Sequence, residues 1–283
     1  MPFALHPAQI IQRAAPWVFA CLLLHHAVHY AWVAEDAFIN FRVIANVLDH
    51  QGLTWNPSER VQVFTSPLWM GLSVAMTALQ GDPIESSIWL SFGVFTLAMG
   101  LLWQACGRRT VLWLITAALW CSSRSVRDYM CSGLETPLVM AAVAAAVTLP
   151  ALWPRLSVRA LGTLLSLCIL VRHDLLLLLG PVVFHTAWRR QGELAPVASG
   201  LAAVWRLARE LVIGSWPLLA WSAWAWLYYG SPLPNTALAK MVSGWNGPEQ
   251  AWFYYGVMQH FDPLLMALIA IGLGITWACR GRQ

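Results

Sequence analysis

Residues 86–106 read SSIWLSFGVFTLAMGLLWQAC, a run of 21 positions without one charged side chain. A helix needs roughly 20 mostly apolar residues to cross the hydrocarbon core of a bilayer. Lipid offers no water to unpaired backbone groups, so a segment of this kind is expected to be helical. Similar runs recur at about 14–33, 110–122, 136–152, 159–171, 174–188, 211–229 and 261–279. Together they give an expected all-α, polytopic integral membrane fold with about eight spans, three of them short for a full crossing. The alternating strands of about ten residues that mark a membrane β-barrel are absent from the sequence. Over the whole chain 59% of residues are hydrophobic and 11% charged, and the mean hydropathy is +0.59. A soluble domain carries about 25% charged residues.

The stretch 61–80, VQVFTSPLWMGLSVAMTALQ, is a ninth apolar run, and the charges arbitrate its place. With a cytoplasmic amino terminus and 61–80 left on the outer side, the inner side holds 11 basic residues against 2 acidic ones. The outer side then holds 6 against 11. Basic residues concentrate in cytoplasmic loops, and a crossing at 61–80 would invert every later loop. Residues 61–80 are therefore expected as a helix lying at the membrane surface. A single domain over 1–283 follows, with long outer loops at 34–85 and 230–260. The first apolar run lacks a small-residue cleavage site and reads as a retained helix. The net charge of +4 orients loops and gives no reason to expect nucleic acid. The six cysteines show neither metal-ligand spacing nor a disulfide framework and read as small buried hydrophobes.

The outer loops carry the chemistry-bearing residues. Glu35 and Asp36 stand where the first run ends, followed by Asn40 and Arg42. A carboxylate in a partly dry site can act as a general base, and residues four apart share a helix face. The bland alternative is a pair of solvated helix caps. The stretch Ser132-Gly133-Leu134-Glu135-Thr136-Pro137 is a turn whose Thr136-Pro137 could start the next helix. Arg172-His173-Asp174 lies between two apolar runs. Ionisable residues there face a polar cavity or snorkel, and an arginine suits a phosphate. Lys240 is a second phosphate candidate and Arg60 a weaker one, while His173 alone reads as structural. Carboxylates, cations and aromatics on one face suit a phosphate-bearing, lipid-linked substrate, although other substrate classes fit the residues as well.

Several blocks together resemble a known family. Glu35-Asp36-Ala-Phe-Ile-Asn40-Phe-Arg42, Asn56-Pro-Ser-Glu59-Arg60-Val61, Thr65-Ser66-Pro67-Leu68-Trp69 and Ser132-Gly133-Leu134-Glu135-Thr136 look like the terminal arabinofuranosyltransferases of mycobacterial cell-wall synthesis and their relatives. Arg172-His173-Asp174 and Pro232-Leu-Pro-Asn235-Thr support the likeness. The resemblance implies a GT-C-type helical module in the bacterial inner membrane, with its active face on the periplasmic side. It implies transfer of a sugar, an arabinofuranose or related pentose, from a polyprenyl-phosphate donor to a glycan or glycoprotein hydroxyl. Asp36 would be the catalytic carboxylate with Glu35 beside it, and Arg172, Lys240 and Arg60 would hold the donor phosphate. Asn40, Arg42, Trp69, Glu135, His173 and Asn235 would line the substrate site. Glu35 could help bind a divalent cation, but the sequence has no dedicated cage, so no metal ligand is assigned. Members of that family are longer, so the carboxy-terminal part is expected to be missing. A protein that binds or flips the polyprenyl-phosphate sugar without transfer chemistry and a truncated, inactive remnant are the alternatives.

Overall fold

The computed structural model describes residues 31–122, 124–194 and 201–235, with isolated helical positions at 14, 18, 21, 22, 25 and 29. The regular structure among the described residues is helical, with no strand. In chain order the helices are α1 Ala37–Leu48, α2 Pro67–Gln80, α3 Pro83–Ala105, α4 Thr110–Ser122, α5 Arg124–Tyr129, α6 Thr136–Leu152, α7 Val158–Val171, α8 Leu175–Leu194, α9 Leu201–Gly214 and α10 Trp216–Tyr229.

Their starts follow from local chemistry. Asp82 Oδ1 accepts the free N–H groups of Ile84 (2.7 Å) and Glu85 (2.9 Å), and Pro83 occupies the first turn of α3. Ser66 caps α2 in the same way from Trp69 N–H, with Pro67 behind it, and Ser157 caps α7. The Thr136-Pro137 start expected from the sequence is the start of α6.

The lengths correct the sequence reading. Among the described residues one helix, α3 with 23 residues, is long and apolar enough to cross a membrane. Helices α4, α6, α7 and α10 have 13, 17, 14 and 14 residues. At 1.5 Å per residue these reach only about 20–26 Å, against a core of about 30 Å. Helix α8 has 20 residues, but its last turns carry Arg189, Arg190 and Glu193. The run 211–229 is broken at Ser215, a turn position between Gly214, where α9 ends, and Trp216-Pro217, where α10 opens. Most of 14–33 and all of 261–279 lie outside the described residues. The eight-span GT-C architecture and the multi-pass placement in an inner membrane are overturned by this count. An apolar composition window does not register where caps and prolines end a helix. The stretch 61–80 is likewise only partly helical: 61–66 is irregular, and α2 packs against α1 and α3.

Helices α3 and α6 make the broadest contact. The alanines Ala141 and Ala144 of α6 let it approach Phe95, Ala98, Met99 and Leu102 of α3. Trp113 of α4 closes this core and donates its indole N–H to Met99 O at 3.1 Å. A second core gathers Ala37, Phe41, Val43 and Ile44 of α1 with Phe64 and Met70, and Leu134 and Trp221 pack on it. Where α7 meets α9, a Cβ on Gly162 would stand 2.7 Å from Leu211 O, and one on Gly214 would stand 2.2 Å from Arg159 O. Only glycine allows the two backbones to come that close.

Candidate functional site

Three loop ends meet beside the start of α1. Gly133 has φ +80°, and a Cβ there would press on Ala37 Cβ at 3.0 Å and Phe41 Cζ at 3.3 Å. Its carbonyl accepts the indole N–H of Trp69 at 3.1 Å, and Ser132 O accepts Ala34 N–H at 3.0 Å. The turn before α6 is thereby tied to α1 and α2. Asn235 N–H donates to Gln62 O at 3.0 Å, while buried Gln62 bonds Phe64 O through Nε2. The first bond ties the strap 233–235 to Gln62, and the second braces 62–64 beneath it.

Between these pieces opens a cavity of about 680 Å³, within the usual range for a small-molecule site. Asp36, Ile39 and Asn40 line it from α1, Val63–Ser66 from the irregular segment and Leu134–Glu135 from the turn. Arg172–Asp174 line it from the α7–α8 connection and Leu233–Pro234 from the strap. Asp36 occupies the N-cap position of α1, yet its side chain makes no capping hydrogen bond. Asp36 lines the cavity, with Asn40 one turn along the same face.

Arg172 is the electrostatic centre of the cavity. Its Nε donates to Asp174 Oδ1 at 3.1 Å and Oδ2 at 3.3 Å, and its Nη2 to Oδ2 at 3.0 Å. Nη1 donates to Glu135 Oε1 at 3.0 Å. The hydrogen bond to Asp174 raises the guanidinium above its ordinary value and in return lowers the Asp174 carboxyl. Burial lowers His173, against the opposing pull of Asp174, which favours a neutral ring.

The residues singled out in the sequence separate into three groups. Asp36, Asn40, Glu135, Arg172 and His173 share the cavity. Arg42, Arg60, Trp69, Glu35 and Asn235 are outside its lining. Arg42 turns to the opposite side of α1, donating to Trp55 O (3.1 Å) and Asn56 Oδ1 (3.0 Å) with its guanidinium over the Trp55 ring. Arg60 stacks on the Tyr228 ring, 4.9 Å from its centroid. Trp69 is 1% exposed and holds the Gly133 turn. Glu35 is exposed, and its backbone carbonyl accepts Phe38 N–H. Asn235 is exposed and contributes its backbone N–H. Lys240 lies outside the described residues. No group of three or more His, Cys, Asp or Glu side chains that could hold a metal occurs among the described residues.

Two contributors were missed by sequence reasoning. Asp174 stood in a quoted turn, and its spacing of two from Arg172 was the available signal for the fork it forms. Gln62 was one of several uncharged polar residues in the 61–80 run, and nothing in the sequence marks it as the anchor of the strap.

The chain has relatives of known description. A terminal beta-(1->2)-arabinofuranosyltransferase of Mycobacterium tuberculosis is 27% identical over 236 residues, which cover 75% of this chain and 35% of that protein. A protein of the same description from Corynebacterium glutamicum is 27% identical over 259 residues, covering 78% of this chain and 36% of its own length. The chain is a distant relative of both and spans about a third of their length. No family model and no solved structure matches it.

Proposed function

We propose that this chain carries the donor site of a glycosyltransferase. It would move an arabinofuranose or related pentose from polyprenyl phosphate to a hydroxyl of a glycan or glycoprotein. The observation that carries this reading is the meeting, in one cavity, of four separate sequence blocks between residues 36 and 172: Asp36 and Asn40, Thr65 and Ser66, Glu135, and Arg172. The distant likeness to two transferases supports the reaction class.

In this reading the acceptor hydroxyl oxygen bonds the anomeric carbon of the sugar, and its proton passes to Asp36. The bond from that carbon to the phosphate oxygen breaks, and the electron pair stays on the phosphate. Arg172 offers N–H donors to the phosphate oxygens. Asn40, on the same helix face as Asp36, is placed to bond a sugar hydroxyl. Arg42, Arg60 and Trp69 hold the scaffold and take no part.

The test uses the purified chain with a panel of radiolabelled polyprenyl-phosphate sugars. Wild type transfers or releases one of them. Asp36→Asn loses about 10²–10⁴ of that rate at normal expression, the range for removal of a general base. Full activity in Asp36→Asn contradicts the assignment. Binding without turnover in both proteins points to a carrier-binding role.

A further inference from the structure

We propose that Asp174 and Glu135 make this cavity select a singly charged phosphodiester over a doubly charged phosphate monoester. The lipid-linked sugar would then be held more tightly than the lipid phosphate it leaves behind. The proposal rests on the reading of the cavity as a donor site.

The described residues of the cavity bring three carboxylates, Asp36, Glu135 and Asp174, and one guanidinium, Arg172. A guanidinium has five N–H donors. Asp174 takes Nε–H and one Nη2–H, and Glu135 takes one Nη1–H. Among the described residues nothing takes the remaining hydrogen on each Nη, which leaves two donors for a ligand. Two donors match the two non-bridging oxygens of a phosphodiester, which together carry one negative charge. A phosphate monoester carries a second charge above its second pKa of about 6. That added charge meets two carboxylates already bonded to the same guanidinium. Two unit charges about 6 Å apart, at an effective dielectric of about 20, repel enough to change affinity by up to roughly a hundred-fold. Salt and the exposure of Asp174, at 60% against 13% for Glu135, reduce this to on the order of ten-fold.

The charges also balance through the transfer. When the anomeric carbon–oxygen bond breaks, the phosphate goes from one negative charge to two. In the same step Asp36 accepts the acceptor's proton and becomes neutral, so the charge of the cavity is unchanged. Once Asp36 gives that proton to water, the third carboxylate returns and opposes the dianion. Repulsion therefore falls on the product after transfer rather than on the bond-breaking step.

The experiment is titration calorimetry of the full chain in detergent micelles near pH 7.5, with farnesyl phosphate and its methyl diester as probes. They differ by one methyl group and one charge. Wild type is expected to prefer the diester by about ten-fold. Asp174→Asn is expected to narrow that preference to about two- to three-fold, chiefly by binding the monoester better. Glu135→Gln provides a second, independent narrowing. Asp49→Asn removes one carboxylate at the far end of α1, outside the cavity lining, and should leave the preference at the wild-type value. Equal or tighter binding of the monoester by wild type overturns the proposal, as does an unchanged preference in both Asp174→Asn and Glu135→Gln. Either result leaves the donor-site reading standing, whereas binding of neither probe by wild type removes both.

Discussion

Among the described residues, two arginine–carboxylate clusters have opposite surpluses. At the α7–α9 seam two arginines, Arg159 and Arg209, share one carboxylate, Glu210. At the cavity two carboxylates, Asp174 and Glu135, share one arginine, Arg172. The first cluster sits over the close glycine contact of Gly162 and Gly214, where Thr163 also donates to Gly214 O at 2.8 Å. Its partners are elements of the fold itself. The second faces open volume, and its arginine keeps donors that no described protein group uses. Pairing alone therefore does not distinguish a structural arginine from a ligand-binding one. What separates them is whether the cluster closes a backbone seam or lines a cavity.

The largest expected effect lies at the seam. Gly214→Ala places a methyl against Arg159 O, a backbone atom that cannot swing aside. We expect a loss of about 3 kcal/mol, at the upper end for overpacking, read as a shift of the denaturation midpoint. An unshifted midpoint would mean that the two helices are not held at this distance. A smaller effect is expected where the two roles touch. Trp69→Phe removes the indole N–H that holds Gly133 O, a buried bond whose loss costs about 1–2 kcal/mol. Because the Gly133 turn carries Glu135 to the cavity, this variant should also narrow the preference for the methyl farnesyl diester over farnesyl phosphate. Stability lost with the preference intact would separate Trp69 from the site.

One helix start was read in the sequence because such signals are local: Thr136-Pro137 opens α6. Ser66-Pro67 and Asp82-Pro83 use equally local chemistry to open α2 and α3, but the apolar windows at 61–80 and 86–106 passed over them. The shared face of Asp36 and Asn40 was legible because it too is local, since i and i+4 spacing fixes it. The number of membrane-length helices was not legible. It depends on the break at Ser215 and on the polar end of α8, which a composition window averages away. The partners of Arg172 were also hidden: Glu135 lies 37 residues away, and only the fold of the 132–135 turn brings it within 3.0 Å. Arg42 shows the converse error. Two residues beyond Asn40, it points to the other side of α1, and its spacing from Asp36 already argued against a shared face.

The smallest predicted effect concerns His173. Burial holds its imidazole below the ordinary 6.5. The unfolded chain therefore takes up a proton at this residue before the folded chain does. Stability from this source is complete above about pH 6.5 and falls as the pH drops below it. An NMR titration should place the ring's midpoint under 6.5. A midpoint above that value would mean that Asp174 outweighs burial and that the cavity is wetter than its geometry indicates.

The most direct measurement compares the two arginines. Binding of methyl farnesyl phosphate would be measured for wild type, Arg172→Gln and Arg159→Gln, with helicity recorded for each. We predict that Arg172→Gln loses most of the binding with its helicity intact, and that Arg159→Gln binds as wild type does. Equal loss in both variants, or loss in Arg159→Gln alone, would contradict the assignment of the cavity as the phosphate site.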